Sequence, residues 1–169
     1  MISIPRIETE RFVLRPWQLD DFEAFAGFYA DPLQSRYVGG PADRTTAWRR
    51  FASLLGHWAL KGFGEWAIED RNNGALLGDA GLMEPDGWPE IEMGYWLLPE
   101  ARGKGVVSEA AGRIRDHAFT TMGLDTLVSY IDPANAASKR VAEGLGAHYE
   151  CTIDLSVHGP HEVYRYVKS

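Results

Sequence analysis

The sequence predicts a single α/β domain, of the α+β kind, in which about four helices flank a mixed, mostly antiparallel sheet of about seven strands. One observation behind this prediction is that the spacing of apolar residues alternates along the chain between a helical and a strand period. The resulting element order, β-α-α-β-β-β-α-β-α-β-β, is typical of a mixed sheet with helices on its faces. The other observation is size: 169 residues, 45% hydrophobic and 24% charged, fit one globular domain over residues 1–169.

The first half of the chain begins with a strand over residues 10–16, which is expected to end at Pro16 because proline cannot donate to a sheet ladder. A helix follows near Leu19, where Asp20 as N-cap and Glu23 three residues later have the spacing of a capping box. Asp31 and Pro32 end it. The other predicted elements of this half are a loop at 36–44, a helix at 46–60 and strands at 65–70, 75–83 and 90–98.

The second half contains two helices, each placed between strands. The first is expected over residues 107–121, where apolar residues recur at helical spacing. The second is opened by Asn135, runs to Leu145 and ends at Gly146, a residue type that favours helix termination. The predicted strands of this half lie at 126–131, 147–155 and 161–168.

The formal net charge of -7 bears on the partners. Nucleic-acid binding needs basic patches against phosphates, so an acidic chain is not expected to bind nucleic acid. The same charge favours a cationic partner such as an amine. No stretch approaches the roughly 20 apolar residues of a membrane span, and residues 1–6 lack a signal-peptide core, so we expect a cytoplasmic protein that does not act at membranes.

Cys151 is the sole cysteine, which excludes an internal disulfide and a cysteine-rich zinc site. Its place on a predicted strand predicts a small, buried, apolar side chain. His158 and His161 flank the last predicted hairpin, but a pair without a third ligand is weak evidence for a metal. We therefore expect no metal cofactor.

The segment at residues 95–112 contains the strongest functional signal. Its strand ends at Pro99, two glycines follow at Gly103 and Gly105, and a helix begins near Val107. Backbone N–H groups of such a turn form a concave arc, and the helix behind it adds unpaired N–H donors and the positive end of its dipole. This combination is a phosphate-binding site, to which Arg102 and Lys104 add positive charge.

Two phosphate-binding motifs fit this segment poorly. The P-loop needs a Ser or Thr hydroxyl directly after its lysine, whereas Lys104 is followed by Gly105. The dinucleotide pattern G-x-G-x-x-G has Ser108 at its third glycine, and its acidic ribose ligand has no clear counterpart, since Asp132 comes much too late. A nucleotide-dependent enzyme is therefore an alternative with little support.

A third motif fits better. Residues 94–110 read Gly-Tyr-Trp-Leu-Leu-Pro-Glu-Ala-Arg-Gly-Lys-Gly-Val-Val-Ser-Glu-Ala, and Asn135, Ser138, Leu145 and Gly146 have the spacing Asn-x-x-Ser-x-x-x-x-x-x-Leu-Gly. Both segments resemble the GNAT superfamily of acetyl-CoA-dependent N-acetyltransferases, in particular its RimJ/RimL-like branch of ribosomal-protein N-terminal acetyltransferases and relatives. Val107 departs from the family's Gly or Ala at the last position of the first motif and could crowd the phosphates.

The resemblance implies the GNAT fold and acetyl-CoA as cosubstrate, with its pyrophosphate on the amides of residues 103–108. The pantetheine arm would lie along the strand that ends at Leu98, and Lys139 or Arg140 would meet the 3′-phosphate. The cofactor-binding residues so implied are Leu97, Leu98, Arg102, Gly103, Lys104, Gly105, Val106, Val107, Ser108, Asn135 and Ser138. Asn135 is equally a reasonable helix N-cap, and Ser138 a small packing residue.

Transfer to an amine needs a proton acceptor, because an alkyl ammonium has a pKa near about 10.4. Glu92 is the preferred candidate for this base, and Glu90 shares its predicted strand face. The thioester oxygen would be held by a backbone N–H near Leu97 or Leu98. Many superfamily members protonate the thiolate with a tyrosine at the position of Ala142 in this chain, which leaves Tyr95 or Tyr130 as substitutes.

The sequence thus favours an N-acetyltransferase that transfers acetyl directly to an amine in a ternary complex. A non-catalytic acyl-CoA-binding module is the alternative, because Ala142 and Val107 depart from the family pattern. The acceptor amine, either a protein N-terminus or a small molecule, is not specified, although Trp17, Tyr37 and Trp58 are candidates to line its site. The oligomeric state is open, and a homodimer is compatible with the sequence.

Overall fold

The computed structural model describes residues 2–168, so that only the first and last residues of the predicted domain lie outside the described part. Within it, a single sheet is covered by helices on both faces. The strands are β1 (Ile7–Glu8), β2 (Phe12–Arg15), β3 (Glu65–Asp70), β4 (Leu76–Met83), β5 (Glu92–Leu97), β6 (Leu127–Ile131), β7 (Ala147–Asp154) and β8 (Pro160–Tyr166). The helices are α1 (Phe22–Ala30), α2 (Pro32–Ser35), α3 (Arg44–Lys61), α4 (Val106–Thr120) and α5 (Ala136–Gly144).

The strand order is β1-β2-β3-β4-β5-β6-β8-β7, and every neighbouring pair is antiparallel except β5 and β6. These two parallel strands share one paired position, Glu92 with Val128, and then diverge. Such divergence leaves backbone groups of β5 without a strand neighbour. The sheet is therefore split in its middle, beside the strand that precedes the predicted phosphate-binding turn.

Each face of the central strands has its own hydrophobic core. On one face, α4 covers fully buried residues of β3, β4 and β5, which include Ile68, Leu82 and Met93. On the other face, α1 and α3 bring aromatic rings onto β5, where Phe28 stacks on Trp96 with ring centroids 3.9 Å apart. This alternation along β5 follows from the two-residue period of a strand.

The predicted α/β fold is confirmed, with eight strands instead of about seven and five helices instead of about four. The additions are the two-residue β1 and the one-turn α2, both too short to leave a periodic pattern. The predicted capping box of Asp20 and Glu23 is wrong. Asp21 accepts the Gln18 backbone N–H at 2.8 Å and pairs with buried Arg15, so a short 3₁₀ turn precedes α1.

The prediction that Cys151 is buried is also wrong, because the side chain is exposed. It lies on β7, which is at the edge of the sheet and pairs with β8 alone. Most of β7 is uncovered by helices, so an apolar residue on this strand is not necessarily part of a core.

None of the helices within residues 2–168 is both long enough and apolar enough to cross a membrane.

Candidate active site

The gap between β5 and β6 exposes main-chain groups of β5. Leu98 donates its backbone N–H to Leu77 of β4 at 2.9 Å. Since donors alternate between the two edges of an antiparallel strand, the polar groups of Leu97 and Tyr95 face the opposite edge, toward the gap. Of the two predicted oxyanion donors, Leu98 is thus used by the sheet and Leu97 is directed at the gap.

A cleft of about 400 Å³ lies at this gap, between the start of α4 and the start of α5. Nine of the predicted cofactor-binding residues line it, whereas Lys104 and Leu98 do not. The nine are Leu97, Arg102, Gly103, Gly105, Val106, Val107, Ser108, Asn135 and Ser138. The structure therefore brings two segments far apart in sequence into one concave surface.

The turn before α4 presents its backbone N–H groups to this cleft. Gly103 and Gly105 have φ angles of 73° and 72°, which side-chain-bearing residues rarely adopt, and α4 begins directly afterwards at Val106. Among the described residues, no backbone N–H from Gly103 to Ser108 has an acceptor. Val107 is half-buried on the cleft wall, so its side chain narrows the cleft without using those donors.

A charged brace fixes the outer side of this turn. Arg11 donates from Nη1 to the Lys104 carbonyl at 2.9 Å and from Nη2 to the Gly105 carbonyl at 3.4 Å. Glu109 of α4 holds Arg11 in place, since its Oε2 accepts the Arg11 Nε–H and its Oε1 the Arg11 backbone N–H, both at 2.7 Å. With the carbonyls drawn toward Arg11, the turn can direct its N–H groups at the cleft.

The opposite wall of the cleft is the start of α5. Asn135 is the N-cap, with Oδ1 accepting the Ser138 backbone N–H at 3.2 Å, so its capping role is present together with its position on the cleft. The Tyr95 hydroxyl lies 2.8 Å from Ser138 Oγ and ties this wall to β5. Lys139 does not line the cleft, and its Nζ pairs with the Glu162 carboxylate at 2.7 Å.

A second cavity, also of about 400 Å³, adjoins the cleft and shares four wall residues with it. The shared residues are Tyr37, Val38, Tyr95 and Trp96. Its remaining walls come from α1, α3, the strands β3 to β6 and β8, and the loops before α3, β5 and β8. A molecule in the cleft and a molecule in the second cavity can therefore meet beside β5.

Glu92 of β5 is a buried acidic residue in the wall of the second cavity, with 9% of its surface exposed. Trp88 donates its indole N–H to Glu92 Oε2 at 2.7 Å. Burial raises the pKa of Glu92 to about 7, and the Trp88 hydrogen bond partly opposes this rise. A carboxylate with a pKa near neutrality is suited to accept and release a proton at the pH of most cells.

Glu90, the other predicted candidate, is positioned differently. It lies before β5 and binds the Arg165 guanidinium through both oxygens, at 2.8 and 2.9 Å. Its carboxylate is thus neutralised outside the second cavity, and the geometry favours Glu92 over Glu90.

Comparison with known proteins agrees with this geometry. The profile of the acetyltransferase (GNAT) domain matches residues 11–148. The chain belongs to the GNAT acetyltransferase family. It is 31% identical over 155 residues to the uncharacterized protein YkkB of Bacillus subtilis, covering 88% of each chain.

Solved structures show the same family resemblance. A crystal structure of an acetyltransferase from Agrobacterium tumefaciens has a TM-score of 0.91 and 38% identity, with 99% of this chain and 97% of that chain covered. A ribosomal-protein-S5-alanine acetyltransferase from Vibrio fischeri has a TM-score of 0.74 and covers 97% of both chains, but at 18% identity it shows a shared fold alone.

The two tyrosines proposed as acids in this GNAT protein differ in their surroundings. Burial raises the pKa of both Tyr95 and Tyr130 to about 12, so both hydroxyls carry their proton at neutral pH. Tyr95 is engaged with Ser138, whereas the buried Tyr130 hydroxyl has no hydrogen-bond partner among residues 2–168. Ala142 is fully buried within α5 and contributes no proton donor.

Sequence reasoning missed much of the second cavity of this GNAT protein. Trp88, Glu65, His158 and His161 line it, and of these the sequence indicated a role only for the histidines, as a weak candidate metal pair. These residues come from different elements, and no local motif connects them. Within the described chain, no cluster of three or more His, Cys, Asp or Glu side chains is arranged to hold a metal ion.

The predicted acceptor-site aromatics are corrected in part. Tyr37 lines both cavities, as expected for an acceptor-site residue. Trp17 and Trp58 belong to the core instead, since Trp17 packs edge-to-face on Phe25 and Trp58 edge-to-face on Trp66. Their large apolar surfaces are needed to join α1 and α3 to the sheet.

Proposed function

We propose that this GNAT protein is an N-acetyltransferase that moves an acetyl group from acetyl-CoA to a primary amine, by direct attack in a ternary complex. The observation that carries the proposal is the contact between two cavities. One has the unpaired N–H groups of residues 103–108, and the other contains Glu92. Direct transfer requires both substrates to be held side by side, and these cavities share a wall at Tyr95 and Trp96.

The cleft fits the chemistry of acetyl-CoA. Unpaired N–H groups at the start of α4 suit the pyrophosphate, and the N-terminal end of the helix dipole favours its negative charge. Arg102 is close to the gap, where its guanidinium donates to the Leu97 carbonyl at 3.1 Å. The edge of β5 at Tyr95 and Leu97 is the place for the pantetheine amides, and acetyl-CoA supplies the activated thioester.

In the proposed reaction, Glu92 accepts the proton of the amine, directly or through a water molecule. The neutral nitrogen attacks the thioester carbonyl, whose oxygen receives the backbone N–H of Leu97. The C–S bond then breaks as the nitrogen loses its second proton. That proton goes to water if the thiolate leaves unprotonated, or passes to the thiolate through Tyr95 or Tyr130. Thiols have a pKa near about 8.5, so departure without full protonation is feasible at some cost in rate.

The acceptor is a primary amine, either a small molecule or a protein N-terminus. The acidic chain and the carboxyl groups of Glu65 and Glu92 in the second cavity favour a cationic substrate. We place the reaction in the cytoplasm, without metal, nucleic acid or membrane, and with a homodimer as one assembly compatible with it. The RimJ/RimL-like branch remains our interpretation of the motif at residues 94–110.

A second candidate function is a non-catalytic acyl-CoA-binding module, favoured by the buried Ala142 at the position of the family's acid. The two candidates differ in turnover alone. The buried Glu92 beside the cleft supports the enzyme, because a binding module has no use for a proton acceptor at that place.

The test is thiol release from acetyl-CoA, measured with a panel of primary amines and with peptides that have free N-termini. The proposal expects release above the no-amine control for at least one acceptor, together with an acetylated product detected by mass spectrometry. Saturable acetyl-CoA binding without release for any member of the panel would favour the binding module.

A further inference from the structure

We propose that Trp88 is the positioning residue of the proton acceptor, because its indole N–H orients the Glu92 carboxylate and stabilises the charged form. The inference rests on the proposed function, in which Glu92 accepts the proton of the amine, and extends it by naming the group that makes Glu92 a competent base. It is carried by one hydrogen bond, by the contacts that fix the indole ring, and by the anchoring of the loop that contains Trp88.

The hydrogen bond joins the Trp88 indole N–H to Glu92 Oε2, with the nitrogen 2.7 Å from the oxygen. Glu92 is buried, so water cannot readily replace this donor. An indole nitrogen only donates, and the contact therefore favours a carboxylate over a carboxylic acid protonated at Oε2. The proton of the amine is thus directed to the other oxygen, Oε1.

The direction of this N–H is set by the packing of the indole ring. Trp88 meets Tyr130 edge-to-face with ring centroids 6.5 Å apart, and meets His158 in the same manner at 5.4 Å. The ring is half-buried against a small hydrophobic core. Two aromatic contacts and a core leave the ring little freedom to rotate, so the N–H stays directed at Glu92. The core consists of Val128, Tyr130, Leu155 and Val163.

The loop that contains Trp88, residues 84–91, is tied to α3 at its start. The His57 ring accepts the Glu84 backbone N–H at Nε2, with the two nitrogens 2.9 Å apart. The same helix adds an ion pair to the Glu84 carboxylate at 3.0 Å. Strand β5 begins at Glu92 itself, so both ends of the loop are held. The position of Trp88 relative to the base is therefore fixed by the fold as well as by its own contacts.

The surroundings of Glu92 set the sign of the effect. Burial raises the pKa of Glu92 to about 7, whereas the Trp88 hydrogen bond and the Tyr130 backbone oppose this rise. Other titratable side chains face Glu92 from the cavity walls, but among residues 2–168 none of them donates a hydrogen bond to its carboxylate. They are Tyr29, Tyr37, Arg50, Glu65, Tyr95, Tyr130, His158 and His161, with Tyr166 of β8 nearby.

A purely space-filling role for Trp88 predicts the opposite sign. If the ring only closed the cavity wall, a smaller ring would admit water to Glu92, and the pKa of Glu92 would fall toward its ordinary value. Phenylalanine keeps an aromatic ring in the wall and removes the donor. Loss of a hydrogen bond to the charged form raises the pKa of a carboxyl group, so the direction of the change separates the two roles.

The test follows the Glu92 carboxyl group by carbon-13 NMR between about pH 5 and pH 9, with Glu92→Gln used to assign its signal. In the wild-type protein the midpoint should be about 7, and the Trp88 indole N–H signal should move with the same midpoint. In Trp88→Phe the carboxyl midpoint should rise by about one pH unit. Trp48→Phe, which removes an exposed tryptophan outside both cavities, should keep the wild-type midpoint.

Turnover gives a separate readout of the same role. In Trp88→Phe the acid limb of kcat/KM should move to higher pH by the same amount, and kcat on the plateau should fall roughly tenfold because the base is less well oriented. When Glu92 is already replaced by Gln, Trp88→Phe should change kcat by less than about twofold, since a positioning residue has little effect once the group it positions is gone.

An unchanged or lower Glu92 midpoint in Trp88→Phe would overturn the inference, as would an equal loss of kcat in both backgrounds. A wild-type indole signal that does not follow the Glu92 titration would also overturn it, and this measurement decides the matter even if Trp88→Phe fails to fold. The expected NMR shifts without thiol release for any amine would contradict the proposed function alone, whereas thiol release with an unshifted midpoint would contradict the inference alone.

Discussion

The cleft at the start of α4 and the second cavity adjoin each other beside β5 but are built in different ways. The cleft uses backbone N–H groups from one continuous segment, residues 103–108, and the capped start of α5. The second cavity uses side chains from strands, helices and loops far apart in sequence. A site made of main chain depends on local conformation, whereas a site made of side chains depends on the whole fold.

Replacement of Glu92 should have the largest effect and tests the side-chain site. Glu92→Gln preserves the shape and the Trp88 contact but cannot accept a proton, so kcat should fall roughly 10²- to 10⁴-fold. Acetyl-CoA affinity, measured by calorimetry, should stay unchanged, because Glu92 lies outside the cleft. The matched control is Glu90→Gln, which removes a carboxylate already paired with Arg165 and should leave kcat nearly unchanged.

The pH profile sharpens this prediction. Since the base must be deprotonated and the pKa of Glu92 is raised to about 7, kcat/KM should decline as the pH falls through about 7. Glu92→Gln should lose this limb and keep a low, flat rate. A wild-type limb that persists in Glu92→Gln would assign the titration to another group and contradict the role of Glu92.

Replacement of Gly105 tests the main-chain site. Valine is strained at a φ of 72°, and a Cβ there would lie 3.3 Å from Arg11 Nη2, so the turn must change shape. Acetyl-CoA affinity should fall roughly tenfold to a hundredfold in Gly105→Val. The control is Gly123→Val, which has a φ of 70° and nothing near its Cβ, away from the cleft. Equal losses of affinity in both variants would contradict the assignment.

A smaller effect is expected from the brace outside the turn. Arg11→Gln removes the donors to the Lys104 and Gly105 carbonyls, which leaves the turn in place but less rigid. The KM for acetyl-CoA should rise by about threefold to tenfold with kcat nearly constant, as expected for loss of one partly exposed charged contact. Arg44→Gln, which breaks an exposed ion pair elsewhere, should change neither constant.

The smallest effect is expected at Cys151. The side chain is exposed on β7 and lines neither cavity, so it is not positioned to carry an acetyl group. Because the substitution changes no catalytic contact, Cys151→Ser should keep kcat within about twofold of the wild-type value. A large loss of kcat would mean that the thiol reaches the thioester and that transfer is not direct.

The difference between the two sites also explains what the sequence could predict. Elements in which apolar residues recur at a regular spacing were predicted within a residue or two, because this local pattern determines them. Examples are β3 at Glu65–Asp70 and α4 at Val106–Thr120. Most of the predicted cofactor-binding residues line the cleft, because most of them belong to one continuous segment whose local conformation forms its wall. Lys104 and Leu98 do not, since the direction of one side chain or one N–H depends on neighbours such as Leu77.

The second cavity could not be predicted to the same extent. Glu65 and Glu92 are brought together by strand order and register, which a single sequence does not reveal. Whether Glu90 or Glu92 is free depends on Arg165, a residue 75 positions away. Likewise, the burial of Cys151 was predicted wrongly because the pattern of β7 does not show that it is an edge strand.

The central claim is that both substrates are bound at once beside β5. Initial rates measured with acetyl-CoA and the amine both varied test it most directly. Direct transfer predicts double-reciprocal lines that intersect. Parallel lines, the pattern of a ping-pong mechanism with a covalent acetyl-enzyme, would contradict the account.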